Sequence, residues 1–174
     1  MSSPATDDPS ITRIEDDLDE LSSLLWETFR GLKQASPPPQ ELRDAASRAA
    51  LGPRHMPTLV AVAITGSLSV SDLARRLGLG LSTTSAIVGQ LSRAGLLQRS
   101  EDERDHRRTI VRLHDEYREV ISSWALRTLA PLRRTLELLP PPARADFMLG
   151  WRLLHAQATG TPPAEASECH DATA

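Results

Sequence analysis

The chain has 174 residues, of which 40% are hydrophobic and 3% aromatic. This composition predicts one globular domain with an aliphatic core and leaves little room for a second. Its formal net charge of −3 alone argues against nucleic-acid binding. However, residues 75–112 hold eight arginines against four acidic residues, whereas residues 1–50 hold ten acidic residues against five basic ones. We therefore predict a basic patch that attracts phosphates, carried on an acidic body.

Three helices are predicted before the basic patch. Residues Ile11–Lys33 repeat apolar side chains at spacings of three and four, which places them on one face of a helix. The run Pro37-Pro38-Pro39 ends this helix, because proline lacks the N–H that a helix interior needs. A short helix over Glu41–Leu51 and another over Pro57–Thr65, closed by Gly66, follow.

Two short helices with a tight break between them are predicted next. Ser71-Asp72 opens an apolar-periodic run that is broken at Gly78 and Gly80. Ser82-Thr83-Thr84 caps a second run, which ends at Gly95. This spacing is typical of a helix-turn-helix, whose second helix can lie in the major groove of DNA and offer its N-terminal side chains to base edges.

A basic β-hairpin follows the helix pair directly. Residues 96–99 and 109–113 have the pattern of two strands, and they flank a charged tip at 100–108. A helix pair followed at once by such a hairpin is a winged helix, so this segment predicts DNA binding.

Two further helices are predicted after the hairpin, and both ends of the chain are predicted to be disordered. The first of these helices spans Glu116–Leu139, and Pro131 within it predicts a kink. The second begins at Pro142 or Ala143 and ends at about Ala158. The polar tails are residues 1–10 and 159–174. The first helix and these two carry more apolar surface than a small helix-turn-helix can cover, so we expect a second copy of the chain to bury it.

The segment Leu68–His114 resembles the DNA-binding core of the MarR-type (multiple antibiotic resistance regulator) transcription factors. The resemblance rests on LSVSDLARRLGLGLSTTSAIVGQL, on AGLLQR and on DERDHRRTIVRLH. The last piece fits the family's D-x-[RD]-D-x-R pattern through Asp102, Arg104, Asp105 and Arg107. The chain departs from the family at Ser85-Ala86 and Gly89-Gln90, where relatives often have Thr-Arg and an acidic-basic pair, and at His106, where arginine is common.

The resemblance implies a mainly α fold, a winged helix-turn-helix at about 54–114 with a small β-hairpin wing. Dimerisation helices at about 11–34 and 116–158 would complete a single MarR-like domain over 11–158. It further implies a homodimer that binds double-stranded DNA at an inverted-repeat operator, more often as a repressor than an activator. A small-molecule effector would relieve the repression by changing the separation of the two DNA-reading heads.

The candidate DNA contacts lie on the second helix and on the wing. On the helix, short polar side chains are placed to reach bases and phosphates; alternatively, Ser82 is only an N-cap and the others form a solvated face. On the wing, arginines are placed to enter the minor groove, with Arg107 favoured; alternatively, Asp102 and Asp105 hold them in ion pairs. The candidates are Ser82, Thr83, Thr84, Ser85, Gln90, Arg93, Arg104, Arg107 and Arg108.

A second group of residues is a candidate effector pocket for a small aromatic or anionic ligand. It combines residues of the first helix with the entrance of the third: Trp26, Phe29, Arg30, Arg54, His55 and Met56. The alternative is that Trp26, Phe29 and Met56 are ordinary core residues.

Other functional classes find less support in the sequence. It has no run of eighteen apolar residues, and its start, MSSPATDDPS, lacks the features of a signal peptide, which predicts a cytoplasmic protein without a membrane segment. The lone Cys169 allows no disulfide within the chain, and the five histidines lack metal-ligand spacing. We therefore expect no metal, no cofactor and no enzymatic activity.

Two rival functions remain open. The first is a DNA-binding protein that acts without any effector. The second is a winged helix that serves as a protein-interaction module. The net charge of +4 over residues 75–112 argues against the second, because a protein-binding wing does not need it.

Overall fold

The computed structural model describes residues 9–103 and 105–160. The chain divides into two compact units, one that ends at Leu129 and one that starts at Ala130. Most residues of the two tails that were predicted to be disordered lie outside the described residues. Cys169 and Arg104 also lie outside them.

The first unit begins with three helices: α1 (Pro9–Ala35), α2 (Gln40–Arg48) and α3 (His55–Thr65). The three predicted helices are present, but α3 begins two residues before the predicted Pro57. The prolines after Ala35 separate α1 from α2 as expected, because they cannot donate to a helical ladder.

The winged helix occupies the centre of this unit. Its elements are β1 (Ser67–Ser69), α4 (Val70–Leu77), α5 (Leu81–Arg93), β2 (Leu97–Glu101) and β3 (Thr109–Leu113). The strands form one antiparallel sheet in the order β1-β3-β2, in which Leu68 pairs with Val111 and Leu97 with Leu113. The predicted mainly α fold with a helix-turn-helix and a small wing is confirmed; β1 was not predicted.

Two glycines shape the ends of the helix-turn-helix. Gly78 ends α4 with φ 63°, and Gly95 follows α5 with φ 72°. Both lie in the left-handed region, where a glycine has no Cβ penalty. The backbone then turns so that the N–H of Leu79 bonds to the carbonyl of Ala74 at 3.0 Å, and that of Leu96 to Leu91 at 3.0 Å.

The core of the first unit lies between the winged helix, α2 and the start of the long helix α6 (Asp115–Leu138). Fully buried leucines from four elements meet there: Leu42, Leu59, Leu73 and Leu91. Trp124 of α6 packs on this cluster, and its indole N–H donates to the carbonyl of Ser36 at 3.0 Å. This bond holds the chain after α1 against α6.

The second unit contains the end of α6 and the helix α7 (Pro141–Thr159). Helix α6 continues through Pro131, whose carbonyl accepts a bond from the hydroxyl of Thr135 at 3.0 Å. Phe147 and Trp151 of α7 make an edge-on ring contact with centroids 6.2 Å apart. Within the described ranges, every helix is too short or too polar to cross a membrane.

A buried hydroxyl in α3 gives a prediction about stability. Thr58 is fully buried, and its Oγ1 has no hydrogen-bond partner among the described residues. Since an unsatisfied buried hydroxyl costs about 1–3 kcal/mol, Thr58→Val should raise the free energy of unfolding by about 1 kcal/mol. Thermal denaturation checks this. Thr65→Val is the matched control, because Thr65 Oγ1 does donate to the carbonyl of Ala61 at 2.8 Å, and it should bring no gain.

Candidate nucleic-acid interface

Helix α5 presents a polar face to solvent at its N-terminal end. Ser82, Thr83 and Ser85 are exposed, and the exposed Ala86 lies between them and Gly89. The opposite face carries Ile87, Val88 and Leu91, which are buried in the core. Burial of this apolar face therefore fixes which side of α5 can meet a ligand.

The structure corrects two expectations about the start of α5. The N-cap is Gly80, without a side-chain cap bond, so Ser82 does not cap the helix and is free to make outside contacts. Thr84 is fully buried, and its hydroxyl donates to the carbonyl of Gly80 at 3.1 Å. It has no surface to offer DNA, because it lies on the same face as Ile87, Val88 and Leu91.

Further along α5, the exposed Gln90 is held by a hydrogen bond to a residue of α3. Its side-chain oxygen lies 2.7 Å from Nε2 of His55, at the start of α3. His55 itself is buried, and the N–H of Gly52 lies 3.0 Å from its Nδ1. The predicted base reader Gln90 and the predicted pocket residue His55 are thus one hydrogen-bonded unit.

A shallow cleft adjoins Gln90 where α2 and α5 end. Its volume is about 500 Å³, and its lining consists of Ala45, Arg48, Ala49, Gln90, Arg93 and Ala94. The predicted contact residue Arg93 and the unpredicted Arg48 give the cleft two positive charges. The exposure of Arg48 next to the helix pair could not be read from its local sequence, which is an ordinary amphipathic helix.

The wing projects Arg107 into solvent. The carboxylate of Asp105 accepts the backbone N–H of Arg107 at 3.1 Å, and the backbone N–H of Arg108 donates to the carbonyl of Asp105 at 2.8 Å. Asp105 therefore shapes the turn, while no carboxylate in the described part of the chain pairs with the Arg107 guanidinium. His106 lies 3.6 Å from Glu101 across the hairpin.

Unlike Arg107, Arg108 makes side-chain contacts with the described residues of the helix-turn-helix. Its guanidinium donates to Asp72 at 2.8 Å and to the hydroxyl of Ser69 at 3.1 Å, both at the start of α4. The expected ion pairing of a wing arginine thus exists, but its main partner is Asp72 and not Asp102 or Asp105. This correction makes Arg108 the attachment of the wing to the helix-turn-helix.

Asp72 is the centre of that attachment. The Ser69 hydroxyl donates to its carboxylate at 2.6 Å, and the backbone N–H of Asp72 donates in return to Ser69 Oγ at 3.1 Å, a capping pair for α4. Arg75 also bonds to this carboxylate. The Ser69 hydrogen bond, followed by the charges of Arg75 and Arg108, lowers the pKa of Asp72 below its ordinary value of 3.8, against a partial opposing effect of desolvation.

The lowered pKa predicts acid sensitivity of the wing attachment. A carboxyl group whose folded pKa is depressed stabilises the fold above its unfolded pKa and loses that contribution as pH falls through the folded pKa. Asp72→Asn should therefore lower the melting temperature by a few degrees at pH 7, and the difference from wild type should shrink below about pH 4. Melting curves from pH 7 to 3 measure this. A difference that stays constant down to pH 3 would show that the Asp72 charge contributes nothing.

The six candidate effector-pocket residues do not line the cleft beside α5. Trp26 and Phe29 are 73% and 56% exposed in the single chain, so they are not core residues there. Arg30 and Arg54 are also exposed, whereas Met56 packs against the core cluster. Of the six, His55 is the residue that hydrogen-bonds to the candidate DNA-binding helix.

The arrangement of α4, α5 and the hairpin defines the central segment as a winged helix-turn-helix. Residues 51–108 match the model of the MarR family. The resemblance of this part of the chain to the MarR family, which the sequence predicted, is confirmed.

The chain is also similar to individual proteins. The chain is 32% identical over 89 residues to the uncharacterized HTH-type transcriptional regulator YfiV of Bacillus subtilis (strain 168), a match covering 51% of this chain and 56% of YfiV. The chain thus spans little more than half the length of that relative. The structure of Streptococcus pneumoniae FabT in complex with DNA is similar in fold, with a TM-score of 0.54 at 15% identity over 86% of this chain and 98% of FabT. A MarR family protein from Bacillus stearothermophilus is 26% identical over 83% of this chain and 97% of its own, with a TM-score of 0.48.

Proposed function

We propose that this protein is a sequence-specific DNA-binding transcriptional regulator that acts as a homodimeric repressor. The proposal rests on one observation: the first unit has both an exposed polar face on α5 and an exposed arginine on the wing. The exposed hydroxyl face of α5, at Ser82, Thr83 and Ser85, lies on the helix that precedes a wing with an exposed arginine, Arg107. The match of residues 51–108 to the MarR family supports the same function.

In this proposal α5 enters the major groove and the wing lies beside it. The N-terminal side chains of a recognition helix meet base edges, and hydroxyl groups of Ser82 and Thr83 can donate to or accept from them. Guanidinium groups are attracted to the strongly negative potential of narrow minor grooves, which suits Arg107. Arg104 is proposed as a further wing contact on its sequence position alone.

The proposed homodimer is supported by the apolar face of α1. Ile14, Leu18, Leu21 and Leu25 follow one another at spacings of four, three and four, and all are more than 40% exposed in the single chain. Such a stripe on a long helix needs a partner to exclude water from it. A second copy of the same helix would supply one by two-fold symmetry.

We extend the proposal to a small aromatic or anionic effector that relieves repression. An effector acts by binding one of two dimer conformations more tightly and so shifting their populations. Trp26, Phe29 and Arg30 are exposed on α1, so a pocket that includes them would need the second subunit as its other wall.

Selection of bound fragments from random duplex DNA tests the function. We expect an inverted repeat whose half-sites are about one helical turn, roughly 34–36 Å, apart. Thr83→Glu should abolish this binding, because it places a carboxylate against phosphates, whereas Ser23→Glu on the polar face of α1 adds the same charge and should preserve it. Recovery of no duplex would contradict the proposal and favour the protein-interaction module, and recovery of a single asymmetric half-site would contradict the dimer.

A further inference from the structure

The loop before α3 fixes the hydrogen-bonding state of a buried histidine. The backbone N–H of Gly52 points to Nδ1 of His55 at 3.0 Å. The carbonyl of Gly52 is equally near Nδ1, but it already accepts the backbone N–H of His55 at 3.1 Å. A proton on Nδ1 would leave the Gly52 N–H without an acceptor, whereas the Gly52 carbonyl is already satisfied by the His55 N–H. His55 therefore accepts at Nδ1 and carries its proton on Nε2.

This tautomer decides which end of the Gln90 amide faces solvent. His55 Nε2–H donates to Gln90 Oε1 at 2.7 Å. The amide oxygen is thereby held inward, and the NH₂ group, which has two donors and no acceptor, is left outward. Gln90 is exposed at this position, so its outward group is available to a ligand.

Gln90 lines the cleft of about 500 Å³ together with Arg48 and Arg93. The remaining lining residues are alanines, and the lining includes no carboxylate. Arg48 and Arg93 are the last residues of α2 and α5, so the two helix C-termini contribute about −0.5 charge each. Two full guanidinium charges outweigh these partial charges. The cleft is positive, and the side-chain groups that its polar residues present are hydrogen-bond donors.

We propose that this cleft binds a phosphate of the DNA backbone, with His55 as the positioning residue that keeps Gln90 in its donor orientation. The inference rests on the proposed DNA binding. A phosphate offers only acceptor oxygens and a negative charge, which matches Arg48, Gln90 and Arg93 together. Gln90 lies about 13 Å along the axis of α5 from Leu81, at 1.5 Å per residue. This separates it from the N-terminal residues that meet base edges and places it where a helix leaves the groove and passes the backbone.

Binding of wild type and variants to the selected operator and to a scrambled duplex tests the phosphate contact. Gln90→Ala should weaken both complexes by the same factor, about three- to tenfold, with no change in salt slope. Arg48→Ala should lower the slope of log K against log salt by about one for both duplexes. Unchanged affinity of Gln90→Ala, or a loss confined to the operator, would overturn the phosphate assignment, the second outcome showing that Gln90 reads a base.

A pair of near-isosteric variants tests the positioning role of His55. The amide of His55→Gln can still donate to Gln90 and should keep affinity within about twofold, whereas His55→Met has no donor and should lose as much as Gln90→Ala. The double variant His55→Met/Gln90→Ala should be no weaker than Gln90→Ala alone, because both act through one group. Circular dichroism verifies that each variant is folded.

The outcomes separate the two proposals. Additive losses in the double variant, or equal affinity of the folded His55→Gln and His55→Met proteins, would overturn the positioning role. A folded wild type that binds no duplex would overturn both the proposed function and this site. Inorganic phosphate added at constant ionic strength distinguishes a free-ion site: phosphate that binds the wild type but not Arg48→Ala, and that leaves duplex binding unchanged, would show that the cleft takes only the free ion and would overturn its assignment to the backbone.

Discussion

The variant Arg107→Ala is expected to bind its operator about tenfold more weakly than wild type and to release about one fewer counterion. Arg107 is exposed at the wing tip, and no carboxylate of the described residues neutralises it, so its whole charge is available to DNA. Fluorescence anisotropy at four or more salt concentrations gives both quantities. Because the Asp105 bond involves only the backbone N–H of Arg107, alanine should leave the hairpin intact.

Two companion variants make the Arg107 result specific. Arg134→Ala removes the same charge from an exposed site on α6 and should leave the affinity and salt slope unchanged. Arg108→Ala should instead behave like Asp72→Asn and lower thermal stability, because Arg108 attaches the wing to α4. Equal affinity and slope for Arg107→Ala and wild type would show that the wing tip does not touch DNA.

Local pattern was sufficient to predict the helices and the wing. Apolar spacing, together with Gly78 and Gly95, identified the helix-turn-helix, since both signals act over fewer than ten residues. The strand β1 was missed because it has only three residues and lies between Gly66 and a helix. The burial of Thr84 does have a signal in the sequence, because residues 84, 87, 88 and 91 share one helical face, whereas a hydroxyl near a helix start is more typical of the surface.

The connections within the candidate site were beyond prediction from the sequence. Arg108 and Asp72 are 36 residues apart, and His55 and Gln90 are 35 apart. No periodicity of one element relates such pairs, because their meeting depends on how the sheet and α3 pack against the helix pair. The sequence identified the elements that carry these residues, but the contacts that each side chain makes depend on how the elements pack.

The apolar stripe of α1 gives the prediction with the largest expected effect. Leu21 is 62% exposed in the single chain, so Leu21→Glu should leave the fold of the chain intact. In a dimer, the same change would place an unpaired carboxylate in an apolar interface, where desolvation costs several kcal/mol. We therefore expect Leu21→Glu to convert the proposed dimer to a monomer, as measured by sedimentation equilibrium.

Loss of the dimer should carry through to DNA binding. Two linked reading heads bind an inverted repeat more tightly than one by a factor of about one hundred or more, because the second contact becomes intramolecular. The affinity of Leu21→Glu for the operator should fall by that factor, while its residual binding to one half-site should keep the same dependence on Arg107. Ser23→Glu, which adds the same carboxylate to the opposite face of α1, should remain dimeric and bind normally. A dimeric Leu21→Glu protein with full affinity would show that α1 is not the dimer interface.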